Sequence, residues 1–174
     1  MTFSLAQLQE EMKPWVLHNF GERPTSQPLR GIVEEIGELS AAFYESDEAA
    51  TQDGIADCLI FMTDYCNGRG YSMNDVVASA RVADESFVWG GDVRDDAKGL
   101  LEILGKLCHH DLKKEQGIRK GEDHDKQILV QLGLLHLFLE VLCATKGWPS
   151  VNELVEKTWA SVKLRDWKKN AVTG

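Results

Sequence analysis

Apolar residues recur at spacings of three and four along almost the whole chain, and no segment shows the alternation of a strand. The pattern predicts an all-α protein. Leu5, Leu8, Met12, Trp15 and Val16 mark the apolar side of a first helix over 3–18, where Pro14 is expected to kink the helix or end it early. NFGERPTSQP at 19–28 is rich in turn formers and reads as a loop. A second helix is expected over 29–45, with Ile32, Val33, Ile36, Leu39 and Phe43 on one face. A third, capped by Ser46 or Thr51, runs to about Asn67, where GRG at 68–70 stops it. A fourth spans 73–88, and GGD at 90–92 is the one good linker signal. Helices over 94–116 and 126–146 follow, and Trp148-Pro149-Ser150 caps a last one over 150–168.

The polar positions of the second and third helices are unusual. GIVEEIGEL at 31–39 carries Glu34, Glu35 and Glu38 in a stripe beside the apolar face, with no Lys or Arg inside the segment. DGIAD at 53–57 places Asp53 and Asp57 one turn apart, with Asp64 further along the same stripe. Like charges at i,i+3 and i,i+4 cost a helix roughly 0.2–0.5 kcal/mol per pair. A short loop makes the two helices antiparallel neighbours, so their acidic stripes repel unless a cation sits between them. A hard divalent ion with oxygen ligands, Mg²⁺ or Mn²⁺, suits that donor set. The plain alternative is a solvated acidic face.

Composition narrows the field. The chain has 174 residues, 43% hydrophobic and 27% charged, which suits one compact domain with a core and argues against disorder. A net charge of −9 argues against binding a nucleic acid polymer or an anionic membrane. No apolar run reaches the roughly 18 residues of a membrane span, and no secretory leader pattern opens the sequence, so a cytoplasmic protein is expected. Cys58, Cys66, Cys108 and Cys143 sit in apolar helical patterns without CxxC spacing, as free thiols of a reducing compartment do.

The second half repeats the first. GIVEEIGEL aligns with GLLEILGKL at 99–107, identical at four of nine positions, with three apolar exchanges. The two remaining positions set Glu35 against Ile103 and Glu38 against Lys106. CNGRGYSMNDVV at 66–77 aligns with CATKGWPSVNELV at 143–155, and Trp89 matches Trp167. Asp53 and Asp57 fall opposite Val130 and Leu134, so only Glu34 keeps an acidic counterpart, Glu102. The predicted repeats are 1–89 and 95–174. The second gains basic residues instead: Lys157, Lys163, Arg165, and the run HHDLKKEQGIRK at 109–120 with Lys113, Lys114 and Arg119. One half reads as a cation holder and the other as an anion holder, which together suit metal-bound phosphates.

The run EEIGEL followed by DGIADCLIFMTDYC resembles the MazG-like, all-α nucleoside triphosphate pyrophosphohydrolases. Their pattern is EExxE, then ExxD on the next helix. Glu34, Glu35, Glu38 and Asp57 match it, whereas the ExxD glutamate position is Gly54, with Asp53 one residue earlier. LKKEQGIR and the closing KLRDWKK are similar to the inter-helix loop and C-terminus of short members. The resemblance implies a helical bundle in which two tandem degenerate repeats pack as a pseudo-dimer with one working site, a further homodimer being open. It implies hydrolysis of a nucleoside triphosphate between the α and β phosphates. Glu35, Glu38, Asp57 and Asp53 are then metal ligands and Glu34 the general base. Lys113, Lys114, Arg119, Lys163 and Arg165 are candidates for the phosphates, and Trp15, His18 and Asn19 for the base.

Other chemistries lack their signatures. His109, His110, His124 and His136 show no fixed metal-ligand spacing and read as ordinary core or surface residues. There is no Glu-x-x-His pair for a di-iron bundle, no GxxxxGK[ST] loop and no GxSxG elbow. Three classes remain: a pyrophosphohydrolase, a catalytically impaired nucleotide-binding pseudoenzyme of the same fold, and a structural bundle with a solvated acidic stripe.

Overall fold

The computed structural model describes residues 3–80 and 93–172. They form seven α-helices and, among the described residues, no strand: α1 (Leu5–Phe20), α2 (Ser26–Tyr44), α3 (Glu48–Arg69), α4 (Met73–Ala80), α5 (Val93–Gln116), α6 (His124–Lys146) and α7 (Val151–Val162). The all-α expectation holds. The segment 81–88 of the expected fourth helix, Trp89 and the GGD linker lie outside the described residues.

The chain divides into two compact units, Met1–Met73 with Gly147–Gly174, and Asn74–Lys146. This partition differs from the sequence boundary at 89/95. α7 belongs with α1, α2 and α3 because its buried face, Val151, Leu154, Val155, Trp159 and Val162, packs against α3 and α1.

In the first unit α3 is central, packed on α1, α2 and α7. α1 starts at Ser4, whose hydroxyl accepts the Gln7 N–H at 3.2 Å. Pro14 neither ends nor shortens it, and the helix runs six residues past that point to Phe20. α2 begins three residues earlier than expected because Pro28 falls in its first turn, where the missing N–H has no intrahelical partner to lose. Ile32, Ile36 and Leu39 are buried, but Val33, expected on the same face, is 43% exposed. The cap of α3 is Asp47, not Ser46 or Thr51: its carboxylate accepts the Ala50 N–H at 3.0 Å, and Ser46 takes a left-handed φ of 61° in the turn. Two glycines set how closely α2 and α3 approach. A Cβ on Gly31 would lie 2.3 Å from the Phe61 ring, and one on Gly54 3.1 Å from Leu39 Cβ. Buried Gln9 joins α1 to the end of α3, donating to Tyr71 O at 2.7 Å and accepting from Met73 N at 2.9 Å.

α7 ends at Val162 rather than near 168, and residues 163–172 form turns. Side chains of α1 take up the tail's backbone. Asn19 Oδ1 accepts the Trp167 N–H at 2.8 Å, and Trp15 Nε1 donates to Arg165 O at 3.2 Å. Ser150 and Glu153 form a reciprocal capping box at the other end of the helix.

In the second unit α5 and α6 form a hairpin. α6 buries Ile128, Leu132, Leu135 and Leu139, and Gly133 lets α4 approach: a Cβ there would lie 2.8 Å from Val76 O. By length and composition α6 is apolar enough to cross a membrane, with half of its most apolar window buried inside the protein.

Candidate functional site

The α2–α3 hairpin carries all five carboxylates into the first unit. Glu35 and Asp57 are half-buried, while Glu34, Glu38 and Asp53 are exposed. Glu35 stands at the edge of the apolar face, one residue before buried Ile36. Burial, followed by the charges of Asp57, Glu38, Glu34 and Asp53, pushes its carboxyl up to about 7. Burial and the neighbouring Asp53 push Asp57 up to about 6, against the opposing field of Arg165. Two carboxyls held this close to neutrality mark a place where negative charge is under-compensated, which a bound cation or a proton relieves.

Both carboxyls line a pocket of about 390 Å³ walled by Trp15 and Phe20 of α1, by Arg23, and by Arg165 and Trp167 of the tail. Trp15 meets Phe20 edge-on at 5.7 Å and Trp159 at 5.5 Å. The Arg23 guanidinium lies 4.6 Å over the Phe20 ring and pairs with Asp64. Burial raises the Asp64 carboxyl, and Arg23 offsets part of that rise. The Nε of Arg23 is buried without a hydrogen-bond partner.

The remaining sequence candidates separate. Lys163 reaches Glu11 Oε2 at 3.3 Å, which also accepts from Trp159 Nε1 at 3.0 Å. His18 lies 3.4 Å from Asp166. Asn19 is buried and engaged at both ends, donating to Trp15 O at 3.0 Å and accepting from Trp167 N, so its polar groups hold the tail. Asp53 lies 3.4 Å from Thr158 Oγ1 and lines a separate cleft with Lys157. Gly54, the position of the missing acid, faces Leu39 of α2. Lys113, Lys114 and Arg119 belong to the second unit, where Lys113 meets Gln116 at 3.3 Å, Lys114 pairs with Asp125, and Arg119 lies 3.6 Å from Glu122.

Comparison with protein-family models, curated proteins and solved structures gives no match to this chain. The chemistry of the site therefore rests on its own residues. Hard carboxylate oxygens of raised pKa fit Mg²⁺, which usually takes only one or two carboxylates and keeps its remaining positions for water and phosphate oxygen. Among the described residues, the group of three whose ligand atoms lie within 4.8 Å of one another is not in this acidic set; it is His109, His110 and Glu122 in the second unit.

Arg23 and Phe20 were absent from the sequence candidates, and His109 and His110 were weighed as metal ligands and set aside. Arg23 sits in a loop without periodicity, and Glu122 reaches the two histidines from across a turn, so no fixed spacing marks the group.

Proposed function

We propose that the chain is a Mg²⁺-dependent pyrophosphohydrolase of the MazG-like kind, cleaving a nucleoside triphosphate between the α and β phosphates. The observation that carries this reading is the shared pocket: Glu35 and Asp57, pushed up to about 7 and 6, open onto the same space as Arg23, Arg165, Trp15 and Trp167. Its volume of about 390 Å³ lies in the range of small-molecule sites. Carboxylates for a cation, guanidinium groups for phosphates and aromatic faces for a base meet in one cleft.

Glu35 and Asp57 would hold the cation, while Glu38 and Asp53, outside the pocket lining, add negative charge next to them. When bound, Mg²⁺ neutralises phosphate charge and lowers the pKa of a coordinated water. Glu34, exposed and outside the pocket lining but close enough for its charge to act on Glu35, would turn inward to take the proton of the attacking water. Arg165 and Arg23 bind phosphate oxygens, and Trp15 stacks on the base. Water adds at the α phosphorus, the α–β anhydride bond breaks, and nucleoside monophosphate and pyrophosphate leave.

The duplication has support in burial: Ile32, Ile36 and Leu39 are buried as are Leu100, Leu104 and Leu107, and Val33 is exposed as is Leu101. Ile103, the counterpart of Glu35, is 1% exposed, so Glu35 occupies what is a core position in the second hairpin.

One observation favours the second reading, a nucleotide-binding pseudoenzyme. Gly54 abuts Leu39, and Asp53 opens onto another cleft, so the second acid of the ExxD pattern has no direct replacement in the pocket. Pyrophosphate release from a panel of canonical and modified nucleoside triphosphates, with Mg²⁺ or Mn²⁺ and a Glu38→Gln control, separates the two. Metal-dependent release that Glu38→Gln abolishes supports the enzyme. Thermal stabilisation by nucleotide without release supports the pseudoenzyme, and neither effect leaves a structural bundle.

A further inference from the structure

We propose that His109, His110 and Glu122, with His124 beside them, form a second metal site in the second unit, selective for a borderline-soft divalent ion of the Zn²⁺ class. The acidic pocket belongs to the first unit and shares no residue with this group.

The ligand atoms of His109, His110 and Glu122 all lie within 4.8 Å of one another. Ligands around a tetrahedral Zn²⁺, each about 2.0–2.2 Å from the ion, stand roughly 3.3–3.6 Å apart. Small side-chain rotations close the difference. His124 adds a third imidazole: its Nδ1 is 3.1 Å from His110 Nδ1, near the ligand-to-ligand separation of one ion.

The second observation concerns the tautomer of His124. Its Nε2 lies 3.2 Å from the carbonyl oxygen of Ile118. A carbonyl only accepts, so Nε2 carries the hydrogen and Nδ1 of the neutral ring presents its lone pair towards His110. An imidazole whose far nitrogen donates to a backbone carbonyl is the arrangement that fixes metal-ligating histidines. His124 is 8% exposed, so the ring is held rather than free. Without metal, a ring-to-ring N–H···N bond and the Arg119–Glu122 pair at 3.6 Å satisfy the same groups.

Imidazole nitrogens with one carboxylate select Zn²⁺ or its neighbours over Mg²⁺. His109 and His110 are near the end of α5, Glu122 lies in the connection and His124 opens α6. A bound ion therefore clips the α5–α6 turn and stabilises the hairpin.

The test is Zn²⁺ titration of the metal-stripped full chain against a chromogenic chelator, with Co²⁺ spectra and melting curves in parallel. The expected result is one tight equivalent of Zn²⁺ that excess Mg²⁺ does not displace, tetrahedral Co²⁺ bands and a raised melting temperature. His110→Gln and His124→Gln each weaken binding by about 100-fold, whereas His18→Gln and Asp57→Asn leave it intact. If a buried histidine variant fails to fold, the exposed Glu122→Gln supplies the same comparison, with an expected loss of tenfold or more. Absence of a tight equivalent, binding indifferent to these cluster variants, or binding lost in Asp57→Asn overturns the site.

Discussion

The Trp15 indole N–H donates to the backbone carbonyl of Arg165 at 3.2 Å, across 150 residues of chain. With Asn19 holding Trp167, this bond lays the tail along α1 and sets Arg165 beside the acidic pocket. Trp15→Phe keeps an aromatic wall and removes the donor. A net loss of about 1 kcal/mol is expected, which at this chain length lowers the melting temperature by about 2–4 °C. Nucleotide affinity should fall as well, because Arg165 loses its anchor. Paired melting curves and nucleotide titrations check both effects.

Glu35→Gln and Asp57→Asn should move stability and activity in opposite directions. Each removes a carboxylate that burial and like charges disfavour, so the metal-free protein is expected to melt higher than the parent. Pyrophosphate release should fall by about 100-fold or more as the cation loses a ligand. A metal-free variant that melts lower than the parent would instead show a structural role for the charge.

The same two groups set a pH dependence. Both pKa values are raised in the folded protein, Glu35 from 4.5 to about 7 and Asp57 from 3.8 to about 6. Between the unfolded and folded values the native state binds more protons, so their contribution is fully present below about pH 4 and is lost as pH rises through 6 and 7. His110 and His136, whose pKa values burial lowers, contribute with the opposite sign near neutrality, so the two carboxyls are read as a difference between proteins. Over pH 5–8 the melting temperature of the metal-free parent should fall relative to the Glu35→Gln/Asp57→Asn double variant as pH rises, and Mg²⁺ should restore most at the alkaline end.

Gly54→Glu, which restores the ExxD pattern, should harm the protein. Its Cβ would sit 3.1 Å from Leu39 Cβ and 3.4 Å from Leu39 Cα, so α2 must shift to admit it. Overpacking of this kind costs about 1–3 kcal/mol, and a further acid adds repulsion. A lower melting temperature without gained activity is expected; a rise in turnover would show that α2 yields and that glycine limits the chemistry.

Helices whose ends depend on their own residues were legible in the sequence. α5 was expected over 94–116 and is Val93–Gln116, because its apolar period and the Gly117 that follows are local signals. α7 was expected to reach 168 and stops at Val162, because the competing hydrogen bonds come from Trp15 and Asn19 on α1. The acidic stripe was legible because carboxylates at i,i+3 and i,i+4 share a helix face wherever that helix packs. Arg23 as a wall of the pocket was not, since a loop residue has no period to reveal what it faces.

By itself the sequence determined that the chain is helical, where most helices run, and that α2 and α3 carry like charge. These follow from interactions within a few residues, which repeat with the helical period. Tertiary structure alone decided that α7 joins the first unit, that Gly54 is spent on helix contact, and that only Glu35 and Asp57 of the five carboxylates enter the pocket. It also drew His109, His110, Glu122 and His124 together across a turn. Each of these depends on which distant side chain occupies the facing surface, and no local pattern records that.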